Sequence, residues 1–491
     1  MLLLGIDVGT SSIKVAIVDA QTQQCITTVQ YPDSETGITS LQKGWAEQSP
    51  EMWWENVQQA ILKAHAGKKY DPKDIIAIGI AYQMHGLVCV DKDQQSLRDS
   101  IIWCDSRAVE IGNKAFDAIG HEKSLQHLLN SPGNFTAAKL AWVKENEPER
   151  YALIDKVMLP GDFIAMKLTG QVTTSISALS EGIFWDFKEQ QLSQDVFDYF
   201  AFDTSLIPEV KDVFTSHGTI TAAIAKHLSL RTGIPVSYKA GDQPNNALSL
   251  NVLEPGEVAA TAGTSGVIYG VSDQLVYDQR SRINSFAHVN FLEAQKRIGV
   301  LLCINGTGIL NSWIKNITGN KYSYRQMDEA AAAIEPGSNG LQMLPFGNGA
   351  ERMLENKLVQ SHIHNIDFNV HGPAHLFRAA QEGIAFAFRY GLDIMRENGM
   401  RPSVIRAGKA NMFLSEVFTQ SFVNATNVPV ELHDCDGSVG AAKGAGIGAG
   451  YYKTAKEAFV NTTPLALVEP TQNVLYDQLY GEWKALLAPG S

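Results

Sequence analysis

The chain is 491 residues long, room for about three domains of average size or two large α/β ones, and its 45% hydrophobic and 19% charged residues exclude a disordered, collagen-like or disulfide-stapled protein. Its 40 Lys and Arg against 52 Asp and Glu leave a net charge of −12, which disfavours nucleic acid or an anionic membrane as partner and favours a small molecule. The cysteines Cys25, Cys89, Cys104, Cys303 and Cys435 are scattered and form no CxxC pair, so they read as buried thiols in a reducing, cytoplasmic setting. Gly5 and Asp7 cut the first apolar run short of a signal-peptide core, and no run of about 18 apolar residues provides a membrane span.

Leu2 to Ile6 is continuously apolar, residues 7–12 form a turn, and Ile13 to Val18 is apolar again, which predicts two antiparallel strands. Pro50 to Ala66 and Ala137 to Glu147 have helical periodicity, while Ile75 to Ala81 and Val157 to Leu159 read as strands. A second hairpin is predicted at Val258 to Val271, around Gly263-Thr264-Ser265-Gly266. At a constant offset of 254 residues, Gly9, Thr10, Ser11 and Asp19 coincide with Gly263, Thr264, Ser265 and Asp273. Further on, Leu376 to Glu397 is helical and Val404 to Ala407 a strand. This alternation implies α/β architecture, and the half-chain offset implies two related domains, although four identities among common turn residues also lie within reach of chance. Pro255-Gly256 marks the boundary, giving an N-terminal domain over residues 1–248 and a C-terminal one over 249–491. The last helix is a candidate to pack back on the first domain.

Two readings compete for each chemical motif. Asp7 followed by Gly9 and Thr10 is either a hairpin capping its own turn or a carboxylate for Mg²⁺ beside a phosphate cradle, with the Gly263 turn gripping from the other side. Asp242 is either a helix N-cap or a general base for a hydroxyl. Gln83, Met84 and His85 follow a strand, and Trp103, Asp105 and Arg107 follow Ile101-Ile102; both groups suit a polyol pocket, against the plainer reading of structural side chains. No P-loop, dinucleotide fingerprint or GxSxG elbow occurs. The Gly437 to Gly450 stretch suits close helix packing or a nucleotide against the backbone, and His362, His364, His371 and His375 read as solvated loop residues.

The motifs together resemble the FGGY carbohydrate kinases over essentially the whole chain. They are Gly5-Ile6-Asp7-Val8-Gly9-Thr10-Ser11, Trp45-Ala46-Glu47-Gln48, Gln83-Met84-His85-Gly86, Trp103-Cys104-Asp105-Ser106-Arg107, Lys139-Leu140-Ala141-Trp142, Gly241-Asp242, Gly263-Thr264-Ser265-Gly266 and Gly437-Ser438. The resemblance implies two ribonuclease-H-like domains of the actin, hexokinase and Hsp70 class, closing on ATP and a sugar. It implies Asp242 as the base and Asp7 near metal and phosphates, with Gln83, Met84, His85, Trp103 and Asp105 at the sugar. Gly9, Thr10, Gly263, Thr264, Gly308, Ser312, Gly408, Lys409 and Asn411 are implied for the nucleotide. Met84-His85 points to members acting on a ketose, so the expected reaction is phosphorylation of the terminal hydroxyl of D-xylulose. L-ribulose, L-fuculose, gluconate and glycerol are the alternatives, or an actin-like ATPase without sugar, and relatives often pair as homodimers. Lys409, Met353-Leu354 after Glu351-Arg352, and Gln243-Pro244-Asn245-Asn246 depart from the family's usual pattern.

Overall fold

The computed structural model describes residues 1–487. Strand β1 (Leu2–Val8) carries no polar side chain before Asp7, so both its faces can be buried, and it runs through the middle of a five-stranded sheet. Strands β2 (Ile13–Asp19) and β3 (Cys25–Tyr31) follow antiparallel on one side; β4 (Ile75–Tyr82) and β5 (Val236–Gly241) lie parallel to it on the other, in the order β5-β4-β1-β2-β3. Val8 pairs with Ile13, which leaves residues 9–12 as the turn, closed by the Gly9 N–H donating to the Ser12 carbonyl at 3.1 Å.

The second sheet contains β6 (Val258–Ala262), β7 (Gly266–Ser272), β8 (Asn284–Ala287), β9 (Ile298–Ile304), β10 (Ile405–Gly408), β11 (Val430–His433) and β12 (Ala466–Val468). Its order is β8-β9-β7-β6-β10-β11-β12. Strands β9-β7-β6-β10-β11 repeat β3-β2-β1-β4-β5 one for one, with the same parallel and antiparallel pairings. The half-chain repeat is therefore structural, and the molecule has the two-lobed ribonuclease-H-like α/β architecture expected of it.

Eight helices position the site: α1 (Pro50–Ala66), α2 (Thr136–Asn146), α3 (Ile176–Glu181), α4 (Asp242–Ser249), α5 (Gly308–Ile317), α6 (Pro373–Glu397), α7 (Gly437–Gly448) and α8 (Asn473–Ala485). The seam of small residues belongs to α7, which follows β11 in the second half of the chain but lies across the first sheet. A Cβ on Gly5 would stand 1.8 Å from the Ser438 carbonyl oxygen, and one on Gly79 2.0 Å from that of Ala441. Only glycine admits the helix at this distance.

Two expectations are corrected. Helix α8 packs within the second half, where the buried Trp483 donates its indole N–H to the Met343 carbonyl at 2.8 Å. Among the described residues all five cysteines are free, but Cys25 and Cys104 are exposed, because one opens the edge strand β3 and the other lies in a loop. No helix among the described residues is long and apolar enough to cross a membrane. Gly79→Ala tests the close approach: overpacking against a backbone carbonyl is expected to cost about 3 kcal/mol, the upper end for such changes, read as a lowered urea midpoint.

Candidate active site

Strand β5 ends at Gly241 and α4 begins with Asp242, so this carboxylate lies at the positive end of a helix. Its pKa is nevertheless pushed up to about 7, chiefly by burial and next by the charge on Asp7. Asp7, near the end of β1, is itself raised to about 6 by burial and by Asp436, with Lys14 opposing. Asp436 caps α7 by accepting the Ser438 N–H at 2.8 Å, and lies 3.8 Å from the Lys14 ammonium. The units β5–Asp242–α4 and β11–Asp436–α7 are equivalent in the two repeats, so two helix starts with their acids converge on Asp7. Gly437 makes room for this, since a Cβ there would stand 2.4 Å from Asp7 Oδ2. Asn245 on α4 then donates to the Gly437 carbonyl at 2.9 Å.

The residues after β4 form a second group. A Cβ on Gly241 would stand 2.7 Å from Met84 Cγ, so Met84 packs beside the start of the Asp242 helix. His85 adopts φ 62° and its ring is set between Phe135 and Phe286, at centroid separations of 4.8 and 5.4 Å. Burial, with Lys139 and Arg352 nearby, drops the imidazole pKa to about 3, so the ring is neutral. Trp103 is 53% exposed and donates its indole N–H to Thr10 Oγ1 at 3.0 Å; that hydroxyl in turn donates to Gln83 Oε1 at 3.0 Å. The first hairpin turn is thereby joined to the wall expected to face sugar. Thr10's hydroxyl is occupied inside the protein.

The expectation that Asp105 lines the pocket is corrected by its surroundings. Its carboxylate is fully buried and accepts the Ala46 N–H at 2.5 Å, the Arg107 N–H at 2.8 Å and the Arg107 guanidinium at 2.7 Å. Arg107 also pairs with Glu47 at 2.6 Å and stacks 3.8 Å over Trp45. Asp105 and Arg107 therefore brace the pocket from behind.

In the second lobe the other hairpin meets the start of α5: Gly308 N–H donates to Gly263 O at 2.9 Å and Ile309 N–H to Thr264 O at 3.2 Å. A Cβ on Gly263 would lie 3.6 Å from Asn411 Nδ2, and one on Gly408 3.4 Å from Cys435 Cβ. Gly263, Thr264, Gly308 and Asn411 are thus one surface, with Gly408 beside Cys435, two residues before α7. Ser312 is half-buried one turn along α5. Lys409 is exposed, fixed by its N–H to the His433 carbonyl at 2.8 Å. Among the described residues the amide N–H groups of Thr10, Ser11, Thr264 and Ser265 meet no protein acceptor, which leaves both turns open to an anion.

Four further residues shape the site. Lys139 on α2 is buried and holds two loops together by donating to the His85 carbonyl at 2.8 Å and the Ile102 carbonyl at 3.0 Å. Glu351 accepts the Asn305 and Gly306 N–H groups at 3.0 and 3.1 Å, fixing the loop that leads into α5. Asp436 supplies charge beside Asp7. Glu181, buried at the end of α3, accepts the His85 N–H at 2.7 Å; a lone acid in the mostly apolar run from Ala178 to Trp185 was the available signal. Lys139→Met is expected to lose about 1–2 kcal/mol of stability by leaving the Ile102 carbonyl with only the Asp105 N–H and the His85 carbonyl with only the Thr136 hydroxyl, and to loosen the His85 loop. Chemical denaturation measures the first effect and the proteolytic susceptibility of residues 83–86 the second.

Two glycine-threonine turns with free amides, two buried carboxylates that feel each other's charge and a Gln83–Trp103 group joined to the first turn fit group transfer from a nucleotide to a small hydroxyl compound. The N-terminal domain model of the FGGY family of carbohydrate kinases matches residues 2–249, and the C-terminal domain model residues 258–449. The chain is 26% identical over 463 residues to the xylulose kinase of Bacillus subtilis (strain 168), covering 93% of this chain and 90% of that protein. A xyloylose kinase structure from Brucella ovis superposes with a TM-score of 0.89 at 24% identity, covering 99% and 98% of the two chains. A gluconate kinase from Lactobacillus acidophilus superposes with 0.90 at 21%, covering 99% and 98%. With both domain models matched in order along the chain, this protein belongs to the FGGY family of carbohydrate kinases.

Proposed function

We propose that this ATP-dependent sugar kinase phosphorylates the terminal hydroxyl of a ketose, D-xylulose before others, to give D-xylulose 5-phosphate. The observation that carries the reading is the placement of Asp242: it feels the charge of Asp7 on one side and stands next to Gly241, against which Met84 packs, on the other. The xylulose kinases to which the chain is similar support the choice of sugar. Gluconate is the second candidate, on the strength of a gluconate kinase among the structural neighbours.

In this reading Asp242 orients the sugar hydroxyl and accepts its proton as the phosphoryl group arrives, while the open amides of the two hairpin turns neutralise charge spreading over the transferring oxygens. Among the described residues Lys14 is the cation that opposes Asp7 and pairs with Asp436, and none is among the main charges acting on Asp242, which suits a divalent cation. Among the described residues no group of three or more His, Cys, Asp or Glu forms a ready ligand set. Mg²⁺ would accordingly rest on Asp7, with phosphate and water oxygens filling its shell. When bound it supplies charge neutralisation at the phosphates. His85, Gln83 and Trp103 orient the sugar, and approach of the lobes excludes water as a rival acceptor.

A coupled assay with ATP, Mg²⁺ and a panel of ketoses, gluconate and glycerol tests the substrate. D-xylulose should give the largest kcat/KM, and ATP turnover indifferent to every sugar would return the chain to the ATPase alternative. Asp242→Asn is expected to lower kcat by about 10²–10⁴ with sugar KM little changed; retained turnover would remove its role as base.

A further inference from the structure

Beneath the pocket lies a carboxyl group for which the proposed reaction has no use. Glu181 Oε1 accepts the His85 backbone N–H at 2.7 Å and stands 3.9 Å from His85 Nδ1. Glu181 Oε2 and His85 Nδ1 are both buried and have no hydrogen-bond partner. Oε2 is wedged against the start of α4, 2.9 Å from where a Cβ on Gly241 would be. Burial holds the Glu181 pKa well above the carboxylate range, so it is a neutral acid beside a neutral imidazole.

A neutral imidazole has two tautomers, and the choice decides whether the nitrogen facing the substrate donates or accepts. With Nδ1 buried, the 17% of the His85 side chain that remains exposed lies along the other edge of the ring, the edge that carries Nε2. The carboxyl oxygen nearest to Nδ1 already presents a lone pair to the backbone N–H of the same residue. A proton on Nδ1 is attracted to that oxygen; a lone pair on Nδ1 is repelled by it.

We infer that Glu181 is a positioning residue that fixes the His85 loop and keeps the imidazole proton on Nδ1, so that Nε2 meets the substrate as a hydrogen-bond acceptor. The pocket then reads a sugar hydroxyl at this point and rejects a carbonyl or deoxy analogue. The inference rests on the ketose-kinase reading and adds to it which kind of oxygen His85 recognises. No further proton moves in the reaction on this account.

The test combines ¹⁵N spectra of histidine-labelled full-length enzyme, with His85 assigned by its loss in His85→Gln, and steady-state kinetics. The wild-type His85 ring is expected as the neutral Nδ1–H tautomer. Glu181→Leu should shift it toward Nε2–H and raise sugar KM about tenfold, with ATP KM within about twofold. Glu181→Gln, which keeps an oxygen acceptor, should retain the wild-type tautomer and hold sugar KM within about threefold. An Nε2–H tautomer in the wild type, an unchanged tautomer and sugar KM in Glu181→Leu, or a Gln variant as impaired as Leu would each overturn the inference. Should Glu181→Leu fail to fold, the wild-type and Gln spectra still decide. The spectra need no turnover, so a wild type inactive on every ketose would refute the substrate reading while leaving the tautomer result separately legible.

Discussion

The arrangement of the active site depends on a helix lying against a sheet with no side chain between them. Because Gly5 and Gly79 are bare, α7 settles onto β1 and β4 with its carbonyls almost touching their backbone. That depth brings Gly437 against the Asp7 carboxylate and Asp436 within range of its charge. Helix α4, the counterpart of α7 in the other repeat, delivers Asp242 to the same point. Three acids are gathered where one cation and a phosphate tail would relieve their repulsion, and the raised pKa values of Asp7 and Asp242 record that repulsion together with their burial.

Behind the pocket, buried ionic groups hold the loops in shape. Arg107 is clamped between Asp105, Glu47 and the Trp45 face, while Lys139 ties the carbonyl of His85 to that of Ile102. Truncating one partner of such a cluster leaves an uncompensated buried group, which is costlier than losing a surface pair. The ion pair of Lys239 with Asp162, at 2.6 Å and almost wholly buried, serves β5 in the same way just before Asp242.

Much of the fold was legible because it rests on local pattern. The apolar runs around Gly9 and Gly263 announced both hairpins, and the helical periodicity from Pro50 to Ala66 announced α1 where it begins. Gln83, Met84, His85 and Asp242 stood out because each follows an apolar strand-like run, and the family resemblance joined them into one expected site. Asp105 misled, since its motif marks the region of the pocket and a sequence does not tell which acid faces inward. Glu181 was passed over for the opposite reason: a carboxyl that acts through another residue's backbone has no spacing rule to betray it. The destination of α7 was also beyond local reading, because packing on a sheet encoded more than 350 residues earlier is a long-range fact.

The path of α7 bears on how the lobes can move. The chain enters the second lobe after α4, builds six strands of its sheet, returns to cover the first lobe with α7, and goes back to add β12. Any hinge motion that opens the cleft must therefore bend the polypeptide on both flanks of α7 as well as beyond α4. The rigid bodies of such a motion are not the two halves of the sequence. A fragment ending at the obvious Pro255-Gly256 boundary would carry the first sheet with one face stripped of its cover.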